Sequence, residues 1–89
     1  MTVRRVVRMA NKRGLHARAS AKFVTLASAL PCAVEVEKDG ASVTGTSIMG
    51  LMMLGAAMGD TITITAQGEG AEDAVAQLAA LVEAKFGEE

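Results

Sequence analysis

The stretch Thr61-Ile62-Thr63-Ile64-Thr65-Ala66 alternates polar and apolar residues without a slip. Side chains of a strand point alternately to opposite faces, so the isoleucines share one face and the threonines the other. A strand with a single hydrophobic face belongs in a sheet that is covered on that side. Ala33-Val34-Glu35-Val36-Glu37 repeats the alternation, Lys38-Asp39-Gly40 reads as a turn, and Ala41-Ser42-Val43-Thr44 completes a hairpin. Val3 to Met9, with Val3, Val6 and Val7 among arginines, reads as a further strand of imperfect alternation.

Between the strands the apolar spacing changes. Leu15, Ala19, Phe23, Leu26, Ala27 and Leu30 recur in steps of three and four, which predicts an amphipathic helix ending near Pro31. Ser47 is a good N-cap for a short helix over Ile48 to Leu54, which Gly50 weakens. Ala74, Leu78, Leu81, Val82 and Phe86 predict the longest helix, Ala71 to Phe86, with Gly87 behind it. The order is β-α-β-β-α-β-α, an α+β arrangement in which three helices cover one side of a four-stranded sheet. Residues 1–89 contain no repeat, linker or low-complexity run and suffice for one core, so they read as one domain.

Composition narrows the function classes. Hydrophobic residues make up 51%, which excludes a disordered chain, yet Phe23 and Phe86 are the only aromatics. The core is therefore aliphatic and Met-rich, and little is available for stacking bases or sugars. The single Cys32 cannot form an internal disulfide, and the longest apolar stretch, Ile48 to Met58, is too short to span a bilayer. No secretory h-region is read at the N-terminus, and the expected location is the cytoplasm. The net charge of −1 hides an asymmetry. Arg4, Arg5, Arg8, Lys12, Arg13, Arg18 and Lys22 give residues 1–34 a charge of +7, against −8 for the remainder. That split points to an anionic ligand or an acidic partner at the N-terminal end.

The only histidine, His16, stands between Gly14 and the first predicted helix, with Arg18 two residues on. Histidine is not a favoured cap, so its place there asks for another reason. The first N–H groups of a helix lack intrahelical partners and the dipole is positive there, which makes the site attractive to anions. A histidine ring is mostly neutral near pH 7 and hence nucleophilic. The N–H groups of Ala17 and Arg18 would point at a phosphoryl group on the ring, and the Arg18 guanidinium would add charge-assisted hydrogen bonds. The expectation is that His16 accepts and donates a phosphoryl group.

Gly14-Leu15-His16-Ala17-Arg18-Ala19-Ser20, together with Ser47-Ile48-Met49-Gly50-Leu51-Met52-Met53-Leu54, resembles the HPr family of histidine phosphocarriers. These serve the bacterial phosphoenolpyruvate-dependent phosphotransferase system, and the resemblance covers essentially the whole chain. It implies an open-faced β-sandwich, a four-stranded antiparallel sheet with three helices on one face. It also implies phosphorylation of His16 at Nδ1 by enzyme I, transfer to EIIA components, and neutralisation of the phosphoryl group by Arg18. Such a protein would be a carrier and not an enzyme with turnover of its own, would need no cofactor, and is expected to be a monomer. Ser47 falls where an HPr kinase/phosphorylase acts in many members. Ser20, Lys22, Ile48, Met49, Met52 and Met53 are the expected partner-binding residues. Ala19 stands where members of the sugar branch usually carry proline; with Ser20 it is more like the nitrogen-branch paralogue and the HPr proteins of some proteobacteria. The branch stays open.

Plainer readings accompany these. Ser47 as a cap helps its helix by about 1 kcal/mol and needs no further role. Ile48, Leu51 and Leu54 read as core, whereas Met49 with Met52 or Met53 is either core or an exposed patch that adapts to several partners. Glu88 and Glu89 read as a solvated tail. A metal chaperone would need close Cys or Met ligands, but Cys32 is alone and His16 has no second ligand. A nucleic-acid module would need aromatics, an RNA-binding signature or overall basic charge. No triad or paired carboxylates for hydrolysis lie near the histidine.

Overall fold

In the computed structural model, which describes residues 1–88, β1 (Thr2–Arg8) leads through a loop to α1 (Ala17–Ser28). Next come β2 (Ala33–Lys38), β3 (Ala41–Thr44), α2 (Ile48–Met53), β4 (Thr61–Gln67) and α3 (Ala71–Glu83), then a 3-10 turn, Lys85–Gly87. The sheet has the order β1-β4-β2-β3, and every neighbouring pair is antiparallel. The α+β open-faced sandwich implied by the sequence is thus the fold observed.

β4 lies between β1 and β2 and hydrogen-bonds to both, so those two strands run parallel with β4 wedged between them. Its alternation supplies the inner face: Ile62, Ile64 and Ala66 are buried, in register with Val7 of β1 and with Val36 and Val34 of β2. The helices close that face with Ala19, Phe23 and Ala27 of α1, Leu51 of α2, and Ala74, Val75, Leu78, Ala79 and Val82 of α3. Full burial of a side chain such as Phe23 or Leu78 is worth about 2 kcal/mol each, so α3 is held by packing rather than by propensity.

β2 and β4 each run one residue further than expected and α2 stops one residue short of Leu54; the boundaries of β1 and α3 also differ. β1 covers Thr2–Arg8, one residue earlier than predicted; Met9 leaves the strand fully buried, its N–H given to the Asp60 carbonyl. α3 stops at Glu83 instead of reaching Phe86. Lys85 and Phe86 take left-handed φ values of 59° and 55°, followed by Gly87 at 77°. Left-handed backbone is costly for residues with a Cβ, and here it folds Phe86 under the helix end, where its ring is buried. Lys22 of α1 ties the turn down by donating from Nζ to the Phe86 carbonyl at 2.7 Å.

The loop that carries His16 is fixed by a close approach. The Leu15 N–H donates to the Ala56 carbonyl at 3.0 Å, and a Cβ on Gly14 (φ 61°) would lie 2.1 Å from that same oxygen. Glycine at position 14 is therefore required twice, by dihedral and by space. Gly40 also has a left-handed φ, 84°, but a Cβ there would meet nothing within 4 Å. Gly40→Ala should cost about 1 kcal/mol from the dihedral alone, and Gly14→Ala about 3 kcal/mol or more because overlap adds to strain. Urea denaturation of the two variants measures this, and equal losses would refute the close-approach argument.

Candidate functional site

His16 occupies the N-cap of α1 with extended backbone (φ −74°, ψ 179°) and caps nothing with its side chain. The first intrahelical bond runs from the Ser20 N–H to the His16 carbonyl at 2.9 Å. The N–H groups of Ala17, Arg18 and Ala19 precede that bond and lie at the positive end of the helix. An anion beside the ring would meet them and the Arg18 side chain. Arg18 is exposed and makes no ion pair or side-chain hydrogen bond among the described residues.

The ring itself is held. Its Nε2 lies 2.5 Å from Oε2 of Glu88, 72 residues away in sequence, and the two side chains are 14% and 20% exposed. The other carboxylate oxygen of Glu88 accepts from Nδ2 of Asn11 at 3.0 Å. Asn11 is buried and also donates to the Gly14 carbonyl at 2.8 Å. His16 Nδ1 makes no hydrogen bond among the described residues and is not sealed from solvent. The amide of Asn11, and next the ring of His16, hold the Glu88 carboxyl below its ordinary value of 4.5, with the Lys22 charge adding to the effect.

Glu88 is thus no solvated tail residue; the left-handed turn at Lys85–Gly87 swings it onto the histidine. Glu89 lies outside the described residues. Asn11 and Glu88 are the members of the site that sequence reasoning missed. Asn11 sits in a stretch that reads only as a polar turn, and no local signal marks a residue brought in from the other end of the chain.

The remaining expected site residues separate into two groups. Ser20 is fully buried, with its hydroxyl donating to the Leu15 carbonyl at 3.1 Å, so its side chain braces the helix start and offers nothing to a partner. Lys22 is exposed, but its ammonium already donates to the Phe86 carbonyl. Ser47 caps α2, its Oγ accepting from the Gly50 N–H at 3.0 Å. Gly50 suits the helix there because a Cβ would press on Ser47 and on Val43 of β3, both 3.1 Å away. α2 packs against α1 and turns Leu51 and Leu54 inward. Met49 (69% exposed), Met53 (80%), Met52 and Ile48 (40% each) face outward. Ile48, which reads from sequence either as core or as part of a partner-binding surface, is a surface residue, because a helix this short buries only the side on which Leu51 lies.

Of the basic residues, Arg4 and Arg5 answer to Glu37 (3.8 Å) and Glu83 (3.5 Å) in exposed pairs. Lys12, Arg13 and Arg18 remain exposed along the loop and helix that carry His16. Among the described residues, no three His, Cys, Asp or Glu side chains are grouped so as to hold a metal ion.

Glu88 titration tests the clasp. A carboxyl with a depressed folded-state pKa adds stability that is fully present above its unfolded value, here about pH 4.5, and lost as pH falls through the folded value. The carboxyl carbon signal of Glu88 should therefore move at a pH below 4.5, and Asn11→Ala should shift that midpoint upward. A midpoint at or above 4.5 in the native protein would contradict the contact.

Known proteins resemble this chain in sequence and in overall fold. Residues 3–84 match the family model described as the PTS HPr component phosphorylation site. The chain is 45% identical over 78 residues to phosphocarrier protein HPr of Cupriavidus necator, covering 88% of each chain. It is 40% identical over 84 residues to phosphocarrier protein NPr of Shewanella violacea, covering 94% of this chain and 92% of the relative. Its structure superposes on the crystal structure of HPr-C-His from Thermoanaerobacter tengcongensis with a TM-score of 0.93, at 42% identity and 98% coverage of both. The chain belongs to the HPr family of phosphocarrier proteins of the phosphotransferase system.

Proposed function

We propose that this protein carries a phosphoryl group on Nδ1 of His16, taking it from phosphorylated enzyme I and passing it to EIIA-type acceptors. The observation that carries this reading is an unpaired, solvent-reaching Nδ1 beside the unbonded N–H groups at the start of α1. The Nδ1 lone pair forms the new N–P bond as the donor's bond to phosphorus breaks, and the donor's leaving atom keeps that electron pair. The N–H groups of Ala17 and Arg18 and the Arg18 guanidinium stabilise the phosphoryl oxygens. The protein acts as a carrier in the cytoplasm, with no turnover chemistry of its own. Partners dock on the outward residues of α2, Ile48, Met49, Met52 and Met53, and on the basic side of α1 at Arg18 and Lys22.

Incubation with phosphoenolpyruvate and enzyme I should introduce an acid-labile, alkali-stable phosphate that His16→Ala abolishes. An unlabelled native protein, or equal labelling of the variant, would end this reading. Chasing the label into sugar-branch and nitrogen-branch EIIA acceptors identifies the branch.

Ser47 is a regulatory position in the same reading, modified by an HPr kinase/phosphorylase. It stands at the head of α2, and phosphorylation would place about two negative charges beside the exposed Ile48 and Met49. Ser47→Asp should slow labelling by enzyme I about tenfold while leaving the fold intact. Equal rates for the variant and the native protein would rule the regulatory role out.

A further inference from the structure

We infer that Glu88 is a positioning residue for phosphoryl transfer: it holds the proton of His16 on Nε2 and leaves the Nδ1 lone pair aimed at the incoming phosphorus. The inference rests on His16 being the phosphoryl acceptor, and Glu88 lies beyond the span, residues 3–84, that matches the family model.

The two oxygens of Glu88 have separate duties. Oε1 is anchored by Asn11, which is itself fixed to the Gly14 carbonyl, so the carboxylate cannot swing away from the loop. Oε2 faces Nε2 at 2.5 Å. An ionised carboxylate has only acceptors to offer, so the proton of that contact belongs to the ring nitrogen. A neutral imidazole carries one proton, and fixing it on Nε2 makes Nδ1 the unprotonated, nucleophilic atom. The carboxylate is in turn held by the turn behind it, whose Phe86 ring is buried and whose carbonyl receives Lys22. The charged groups that act on one another here are Glu88 from the turn after α3 and Lys22 from α1, while Lys12 and Arg13 of the loop and Arg18 of α1 are exposed neighbours of His16 in sequence. α2 contributes no charge.

This arrangement balances the transfer without moving a proton. When Nδ1 attacks, its lone pair becomes the N–P bond, the donor's nitrogen leaves with the electrons of the broken bond, and the ring becomes cationic. That charge faces the Glu88 carboxylate across the Nε2–H, as an aspartate faces the histidine of a hydrolytic triad. In the onward step the Nδ1–P electrons return to the ring. Because Nε2 has kept its proton, the leaving group is a neutral imidazole and not an imidazolate. Orientation of the ring is set before the reaction, so little ordering is left to occur at the moment of transfer.

The test uses the full chain, native and with Glu88→Ala or Glu88→Gln. Long-range proton–nitrogen NMR at pH 8 reads the His16 tautomer, and phosphoramidate, a small N–P donor that leaves as ammonia, reads nucleophilicity without a protein partner. The native protein should show the Nε2–H tautomer alone. Glu88→Ala should admit the Nδ1–H tautomer toward the mixture of a free side chain and slow phosphorylation about tenfold, in the range found when a group that orients a functional histidine is removed. Glu88→Gln keeps an acceptor without the charge, so it should retain the tautomer and still lose rate, which a purely structural role would not produce. A native tautomer ratio in Glu88→Ala overturns the inference, as does an unchanged or faster rate, which would make Glu88 a cover over the ring. If phosphoramidate leaves His16 of the native protein unlabelled, the carrier reading fails on that ground, whatever the tautomer measurement gives.

Discussion

The position of β4 between β1 and β2 is the constraint on which the remainder depends. Two parallel strands separated by a third need crossovers that pass over the sheet, and those crossovers are the helices. Because β4 is bonded on both edges, its inner residues Ile62, Ile64 and Ala66 sit at the centre of the covered face, and α3 packs directly over β1 and β4 while α1 packs against α2 and α3. The direction of β4 also decides where α3 ends. The helix starts where β4 finishes and runs back along the sheet, so its C-terminal turn arrives beside the loop that leaves β1.

That return is what assembles the site. His16 and Glu88 are 72 residues apart, and Asn11 and Glu88 are 77 apart, yet they form one connected set of contacts. The left-handed residues Lys85 and Phe86 belong to the same device. A helix continued through Phe86 would have kept its spacing but carried Glu88 onward along the axis. Breaking it lets Phe86 enter the core and turns the next carboxylate toward the ring. The backbone strain is offset by apolar burial and by Lys22, so a small free-energy cost next to the site is met by packing beneath it.

The exposed surface of the loop and the first two helices is of two chemical kinds. Exposed arginines and lysines along the β1–α1 loop and α1 supply charge, while one side of α2 supplies flexible apolar side chains. A short helix cannot bury every residue of Ile48-Met49-Gly50-Leu51-Met52-Met53, and the fold turns Leu51 inward. The methionines left outside suit a surface that fits more than one partner. Arg4 and Arg5 contribute to the basic count of the N-terminal third but face acids elsewhere, so net charge overstates the field at the site.

The sequence by itself determined the elements and their faces. Alternation at residues 61–66, three-and-four spacing after Leu15, and the Ser47 cap each rest on local geometry, which is why they were legible from residue order. It also singled out His16 and Arg18, since a helix start and a neighbouring cation are local facts. The burial of Ser20, the exposure of Ile48, the end of α3 at Glu83 and the clasp of Asn11 and Glu88 on the ring were decided only by tertiary structure. Each depends on which side of an element meets another or on contacts between distant residues, and periodicity carries no information about either. The sequence named the histidine; the packing of the chain's other end onto it determined which of its two nitrogens is left open.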